Sequence, residues 1–146
     1  MSPWTASVVR VAGGPGQREE EGRARVLVVD DSDTVRTLIR INLELEGFEV
    51  QEADSGARCL ELVPGPDVVT LDLLLPETGP GGLDVLRRLK RDPALGRPRV
   101  VVVTAAALPE DRRLGESAGA DAYITKPFEP GELVDAVRAL ALPGGC

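Results

Sequence analysis

Residues 68 to 82 read VVTLDLLLPETGPGG, and the apolar run in this stretch decides the fold. Hydrophobic residues without polar alternation are typical of a strand covered on both faces, as in the middle of a parallel sheet. Asp72 interrupts the run, and aspartate is a poor strand residue. At the carboxyl end of such a strand, its carboxylate would lie in the crevice where open α/β sheets bind ligands. Asp72 is therefore a candidate site residue, although an aspartate that only bonds turn amides fits this stretch equally well.

Four further strands and five helices are predicted around this run from hydrophobic periodicity and from proline and glycine breaks. The other predicted strands are VLVVD, FEVQEA, RVVVVTA and Ala122–Thr125. Helices are predicted to begin near Ser32, Ala57, Leu83, Pro109 and Pro130. Strict alternation with short loops favours right-handed crossovers. The sequence therefore predicts an α/β fold, a five-stranded, doubly wound parallel sheet with helices on both faces.

Composition narrows the classes of function. The chain has 146 residues, of which 42% are hydrophobic, so it can build the core of one domain. A net charge of -7 argues against direct nucleic acid binding and against attraction to anionic membranes. No apolar run approaches the roughly 18 residues of a membrane span, so no membrane insertion and a cytoplasmic location are expected. Cys59 and Cys146 do not have the spacing of a disulfide framework or a metal site.

The ends of the chain differ in composition from its middle. Residues 1–24 mix proline, glycine and a charge run with one short apolar patch, and they contain Trp4, the single tryptophan. This composition predicts a flexible N-terminal extension. The regular pattern predicts one domain over residues 25–142, followed by a short C-terminal tail at residues 143–146.

Five polar residues are predicted to lie at the carboxyl ends of four different strands: Asp30, Asp31, Asp72, Thr104 and Lys126. Each has a simpler explanation alone, as a helix cap, a strand-end hydroxyl or a solvated charge. Parallel strands bring their carboxyl ends to one rim, however, so chance would have to place all of them there independently.

Three carboxylates held close together repel each other at pH 7 unless a proton or a cation intervenes. Mg²⁺ suits an all-oxygen site, because it takes one or two carboxylates together with water and phosphoryl oxygens. We therefore expect Asp31 and Asp72 to ligate Mg²⁺ directly, Asp30 through water, and a backbone carbonyl two residues past Asp72 to complete the shell. With Lys126 and a hydroxyl beside it, Asp72 would be a nucleophile that accepts a phosphoryl group.

The sequence resembles the receiver domain of bacterial two-component response regulators over about residues 25 to 141. Four segments carry the resemblance: VLVVDDS with an acidic pair, LDLLLP with an acceptor aspartate, VVVTAAA with a switch threonine, and ADAYITKPF with a lysine–proline pair. The resemblance implies a flavodoxin-like fold of strand order 2-1-3-4-5. It also implies Mg²⁺ dependence and phosphotransfer from a phosphohistidine on a sensor histidine kinase or histidine phosphotransfer protein.

The resemblance also implies a role for each residue of these segments. Asp72 is similar to the phosphoacceptor, Thr104 and Lys126 to the phosphoryl contacts, and Tyr123 to a switch aromatic that enters from the surface once Thr104 is engaged. Asp30, Asp31, Asp72 and the backbone carbonyl of Leu74 would bind the metal. The Lys126–Pro127 peptide bond would be cis.

The chain departs from the family pattern at TGPGG and ALGRP, the segments that flank the third helix, while the acidic pocket keeps the family pattern. It ends soon after the fifth helix, so a stand-alone receiver is expected. Its output would be contact with a downstream protein on the face formed by helix 4, strand 5 and helix 5. Such a protein is a regulator in a phosphorelay rather than an enzyme, catalysing only its own phosphorylation and slow dephosphorylation.

Three other classes of protein fit the sequence less well. A flavin-binding module would need a glycine- or hydroxyl-rich loop after the first strand, where Asp30 and Asp31 would repel the phosphate. A haloacid-dehalogenase-like phosphatase would have a second acid two residues after Asp72, where this chain has Leu74. A pseudo-receiver that only binds partners would lack one of the five rim residues, and all five are present.

Overall fold

The computed structural model describes residue 4 and residues 23–76 and 78–141. Within these residues, five strands and five helices alternate along the chain. The strands are β1 (Arg25–Val29), β2 (Glu49–Ala53), β3 (Val68–Leu71), β4 (Arg99–Thr104) and β5 (Ala122–Thr125). The helices are α1 (Asp33–Leu45), α2 (Gly56–Glu61), α3 (Gly82–Arg91), α4 (Pro109–Ser117) and α5 (Pro130–Ala141).

All strand pairs are parallel, and the order across the sheet is β2-β1-β3-β4-β5. The predicted fold class and strand order are therefore confirmed. The register pairs Val29 with Leu71, and Leu71 with Val102. The carboxyl ends of these strands consequently lie side by side and form one rim of the sheet. The chain segments that follow the strands meet at this rim.

The hydrophobic core has two halves, one on each face of the sheet. Alternate residues of β1 separate them: Val26 and Val28 belong to one half, and Leu27 and Val29 to the other. The first half packs against α1 and α5, and the second against α2 and α3. Burial on both faces explains why β3 has no polar alternation facing water.

Helix starts and stops agree with the predicted signals and differ from the predicted boundaries by a residue or two. The Ser32 hydroxyl accepts a hydrogen bond from the amide of Val35 and caps α1, which ends before Gly47 with φ of 94°. A short 3-10 helix, Pro93–Leu95, overlaps the start of the ALGRP segment and was not predicted. Its signal was available, because Asp92 caps it and proline follows the cap.

The peptide bond Lys126–Pro127 is cis, as the resemblance implied, and Val63–Pro64 is cis as well. None of the helices in the described part of the chain is long and apolar enough to cross a membrane.

The predicted extension and tail fall mostly on residues outside those described. Trp4 and residues 23–24 are described, and Trp4 is only 1% exposed and belongs to the core half formed with α2 and α3. Its indole nitrogen donates a hydrogen bond of 2.8 Å to the carbonyl oxygen of Leu62. No periodic pattern surrounds this tryptophan in the sequence, so its place in the core could not be predicted.

Thr70 lies in the middle of β3 and is 1% exposed. Among the described residues, its hydroxyl is the buried side-chain polar atom without a hydrogen-bond partner. An unsatisfied buried donor costs about 1 to 3 kcal/mol. Thr70→Val is therefore expected to raise the free energy of unfolding by about 1 kcal/mol, measured by urea denaturation.

Thr104→Val is the matched comparison for that experiment. Thr104 is also a fully buried strand threonine, but its hydroxyl accepts a hydrogen bond of 3.3 Å from the amide of Ala106. The same substitution should therefore lower the free energy of unfolding, because it removes a bond that is made. Loss of stability in Thr70→Val would contradict the assignment of an unpaired hydroxyl.

Candidate functional site

Sheet hydrogen bonding continues one residue past three of the strands and places the candidate residues at the rim. The amide of Asp30 donates to the carbonyl oxygen of Ala53 at 3.1 Å, and the amide of Asp72 donates to that of Val29 at 3.1 Å. The amide of Lys126 donates to the carbonyl oxygen of Thr104 at 2.9 Å. The backbone of each of these residues is thus fixed by a hydrogen bond to the neighbouring strand, independently of the contacts of its side chain.

Lys126 joins the two buried carboxylates of the rim. Its ammonium nitrogen lies 2.6 Å from Asp30 Oδ2 and 2.9 Å from Asp72 Oδ2. Burial would lower the pKa of Lys126, but its hydrogen bonds to both aspartates outweigh burial and raise that pKa. Lys126 is therefore a fixed positive charge at the rim rather than a solvated surface lysine.

The other oxygen of each carboxylate is held by a backbone amide. Asp30 Oδ1 accepts a hydrogen bond of 2.9 Å from Ser32, and Asp72 Oδ1 accepts one of 2.8 Å from Leu74. Burial raises the pKa of Asp30, and the bonds to Lys126 and Ser32 only partly oppose this. The two carboxylate planes are consequently fixed before any ligand binds, which is the preorganisation that favours catalysis.

Asp31 completes the acidic group and marks its open side. One oxygen from each of Asp30, Asp31 and Asp72 lies within 4.8 Å of the others, and Asp31 is exposed while its two neighbours are buried. Three carboxylates and one ammonium group leave a formal charge of -2 at the rim. This set of hard oxygen donors and its charge fit one Mg²⁺ ion.

Thr104 and Tyr123 form a second group at the same rim. Thr104 is fully buried at the end of β4, and Tyr123 is 7% exposed in β5. The Tyr123 hydroxyl donates a 2.6 Å hydrogen bond to the carbonyl oxygen of Ala106. The ring thus lies inside the fold in this structure, and its movement on phosphorylation stays a prediction.

Arg36 was not predicted as part of the site. It is a buried residue of α1 whose guanidinium donates to the carbonyl oxygen of Asp30 at 2.5 Å and to Glu52 at 3.1 Å. It also pairs with Asp33. A signal was present, since position 36 is three residues before the buried Ile39 on the same helical face. Arg36 thus connects the turn that carries Asp30 and Asp31 to β2 through hydrogen bonds to both.

Gly82 explains part of the unusual TGPGG segment. A Cβ atom at this first residue of α3 would lie 2.4 Å from Leu73 Cα and 2.5 Å from the carbonyl oxygen of Asp72. Both are backbone atoms, which cannot move away cheaply. The absence of a side chain at Gly82 therefore allows α3 to begin directly against the segment that carries Asp72.

Comparison with known protein families gives one match that covers most of the chain. Residues 26–138 match the family model described as the response regulator receiver domain. This range contains all the rim residues described above.

Curated relatives match over the same part of the chain. RpaA of Synechocystis, described as a DNA-binding dual master transcriptional regulator, is 39% identical over 80% of this chain and 48% of its own length. The response regulator MtrA of Mycolicibacterium smegmatis is 44% identical over 80% of this chain and 50% of its own length. The chain spans about half the length of the curated relatives it matches.

Solved structures confirm the architecture. The receiver domain of DrrB from Thermotoga maritima, activated with beryllofluoride, matches with a TM-score of 0.73 and 28% identity. The match covers 81% of this chain and 97% of that one. The chemotaxis protein CheY4 of Vibrio cholerae has a TM-score of 0.73 and 26% identity, over 81% of this chain and 98% of its own.

Proposed function

The chain belongs to the response regulator receiver domain family, and from this premise we propose that it accepts a phosphoryl group on Asp72 from a sensor histidine kinase or a histidine phosphotransfer protein. Receiver domains are phospho-accepting regulatory domains of two-component systems rather than classical enzymes, and they interact with such kinases and phosphotransfer proteins. The observation that carries the proposal is Lys126, whose ammonium group bridges the carboxylates of Asp30 and Asp72.

In the proposed transfer, an oxygen of Asp72 attacks the phosphorus atom of a phosphohistidine. A phosphorus–oxygen bond forms, the phosphorus–nitrogen bond breaks, and its electron pair leaves with the imidazole of the donor. The amide of Leu74 fixes the orientation of the attacking carboxylate, because it holds Asp72 Oδ1. Lys126 then faces the transferred group, and its charge offsets the charge of the phosphoryl oxygens.

Receiver domains bind Mg²⁺ at an acidic pocket, and the residues here fit that ion. We assign Asp30, Asp31, Asp72 and the backbone carbonyl of Leu74 to its binding. When bound, Mg²⁺ neutralises charge on the phosphoryl oxygens and the carboxylates. Charge at the rim supports this assignment, because three acids there face only one ammonium group.

Acetyl phosphate tests the proposal without a kinase. Incubation with this donor and Mg²⁺ should add one phosphoryl group per chain, with release of acetate, and intact-mass spectrometry should detect it. Chelation of the metal with EDTA should prevent the reaction. A protein that gains no phosphoryl group with Mg²⁺, or gains it equally in EDTA, would rule out this function.

The proposal extends to the organisation and output of the protein. Residues 25–142 would form the receiver, acting in the cytoplasm in a phosphorelay. Thr104 and Tyr123 would convert phosphorylation into a change of the face formed by α4, β5 and α5, by shifting a population between two states. Leu108 directly precedes α4 and Leu114 lies in it, and they are 59% and 51% exposed, which suits contact with a protein target.

The lifetime of the phosphorylated form should be long, because nothing polar stands at two positions next to the proposed acceptor and switch residues. Hydrolysis needs a water molecule held in line with the phosphorus–oxygen bond, and polar side chains can orient it. Leu74 and Ala106 cannot do so. The double substitution Leu74→Asn with Ala106→Glu should therefore shorten the lifetime, and a tenfold effect would correspond to about 1.4 kcal/mol in the barrier.

Phosphate release over time, in excess Mg²⁺ and without a kinase, measures this lifetime. Leu108→Asn is a suitable control, because it replaces another exposed leucine with the same polar residue. Equal lifetimes in the wild type and the double variant would contradict the explanation, and would indicate instead that mobility of the loop around Thr78 to Gly82 admits water.

A further inference from the structure

Gly115 lies inside α4, and it is the buried residue of that helix. Glycine in a helix interior is unfavourable relative to alanine, because it loses more backbone entropy on folding. A buried glycine at such a position indicates that something else occupies the space that a side chain would need.

That space is filled by the ring of Tyr123. A Cβ atom placed on Gly115 would lie 2.9 Å from Tyr123 Cε2 and 3.1 Å from Cδ2. The next nearest atom, Leu73 Cδ1, would be 3.8 Å away, at ordinary contact distance. The obstacle is therefore the side chain of one residue, which can rotate, rather than the backbone.

The buried ring is connected to the rim through Ala106. The hydroxyl of Tyr123 donates to the carbonyl oxygen of Ala106, and the amide of Ala106 donates to the hydroxyl of Thr104. The guanidinium of Arg112 lies 5.5 Å from the centre of the ring on the α4 side. A change in the position of the ring would consequently reach the segment that follows Thr104.

We propose that Gly115 is the positioning residue for Tyr123: the missing side chain allows the ring to lie against α4 and to hold Ala106 next to Thr104. Its regulatory meaning rests on the proposed function, in which Thr104 and Tyr123 form the switch. An alanine at position 115 would push the ring outward and break its hydrogen bond to Ala106, with little change to the backbone of α4.

Titration of the phenol measures the position of the ring directly, because Tyr123 is the only tyrosine of the chain. Burial raises the pKa of Tyr123, as does the charge of Asp111 on α4, while Arg112 on the same helix lowers it and Asp72 after β3 raises it. In Gly115→Ala, the pKa should fall towards the ordinary value of tyrosine. Ultraviolet absorption of the phenolate reports this shift, with circular dichroism recorded at each pH to confirm that the protein remains folded.

Gly131→Ala is the matched control, since Gly131 also lies in a helix and a Cβ atom there would meet nothing within 4 Å. This variant should keep the wild-type phenol pKa. An unchanged pKa in Gly115→Ala, with a folded protein, would overturn the inference.

A double-mutant cycle with Tyr123→Ala decides the case even if Gly115→Ala folds poorly. Without the ring, alanine at position 115 gains helix propensity and meets no obstacle, so it should raise the urea midpoint relative to Tyr123→Ala alone. In the wild-type background, the same change should lower the midpoint. A similar change of midpoint in both backgrounds would show that the ring is not what requires glycine, and would overturn the inference.

Phosphorylation by acetyl phosphate tests the regulatory part separately. Gly115→Ala should be phosphorylated several-fold more slowly than the wild type, because the ring no longer supports the segment after Thr104, whereas Gly131→Ala should match the wild type. Equal rates in all three would overturn this part. If none of the three gains a phosphoryl group while the phenol pKa still shifts, the proposed function fails and the positioning role of Gly115 stands.

Discussion

Asp72→Asn is expected to abolish phosphoryl incorporation completely. The carboxamide cannot attack phosphorus to form the acyl phosphate, although it keeps an oxygen that can accept the hydrogen bond from Leu74. Because the nucleophile itself is lost, no residual phosphorylation is expected. Intact-mass spectrometry after incubation with acetyl phosphate and Mg²⁺ measures the effect as the fraction of chains that carry a phosphoryl group.

Asp54→Asn is the control for this experiment. Asp54 directly follows β2 and is exposed, so the substitution changes the charge equally at the end of another strand of the same sheet. It should leave the phosphorylated fraction unchanged. An undiminished fraction in Asp72→Asn would mean that the acceptor is another residue.

Trp4→Ala is expected to cause the largest loss of stability that the fold predicts for a single residue. The indole is 1% exposed and its nitrogen bonds the carbonyl oxygen of Leu62. It also lies against Gly65, where φ is +145° and a Cβ atom would be 2.4 Å from the indole Cδ1. Truncation of a buried aromatic side chain to alanine costs about 3 to 5 kcal/mol, a large part of the roughly 5 to 15 kcal/mol that stabilises a typical domain.

Urea unfolding followed by circular dichroism measures this loss, since the variant has no tryptophan to report by fluorescence. Trp4→Phe separates the two contributions, because it fills much of the same volume but cannot donate to Leu62. It should lose less stability than Trp4→Ala. A midpoint of Trp4→Ala equal to that of the wild type would mean that the N-terminal tryptophan does not belong to the core in solution.

The sheet could be predicted because the hydrophobic pattern of β3 agrees with the burial of this strand on both faces of the sheet. Apart from Thr70, its residues are apolar on both faces, so the sequence alone argues against a surface strand, and Asp72 stands where the strand must end. In β5, too, the sequence pattern agrees with the position of the strand in the sheet, and it places Lys126 directly after the strand. Contact between Lys126 and both Asp30 and Asp72 then follows from the strand order, because β1, β3, β4 and β5 end at one rim.

Residues whose roles depend on distant neighbours could not be predicted in this way. Trp4 has no periodic context, and its partner Leu62 lies 58 residues away along the chain. Gly115 is explained only by the ring of Tyr123, which reaches it from another element of the fold. Arg36 is an intermediate case, since helical spacing from Ile39 is compatible with the buried face of α1, whereas a charged side chain is usually found at the surface.

Chemical trapping of the phosphorylated residue tests the central claim most directly. Borohydride reduces an acyl phosphate to an alcohol, so a phosphorylated aspartate becomes homoserine, which tandem mass spectrometry locates in the digested protein. After phosphorylation with acetyl phosphate and Mg²⁺, the account predicts homoserine at position 72 and at no other aspartate. Homoserine at position 30 or 31, or its absence from a protein that has gained a phosphoryl group, would contradict it.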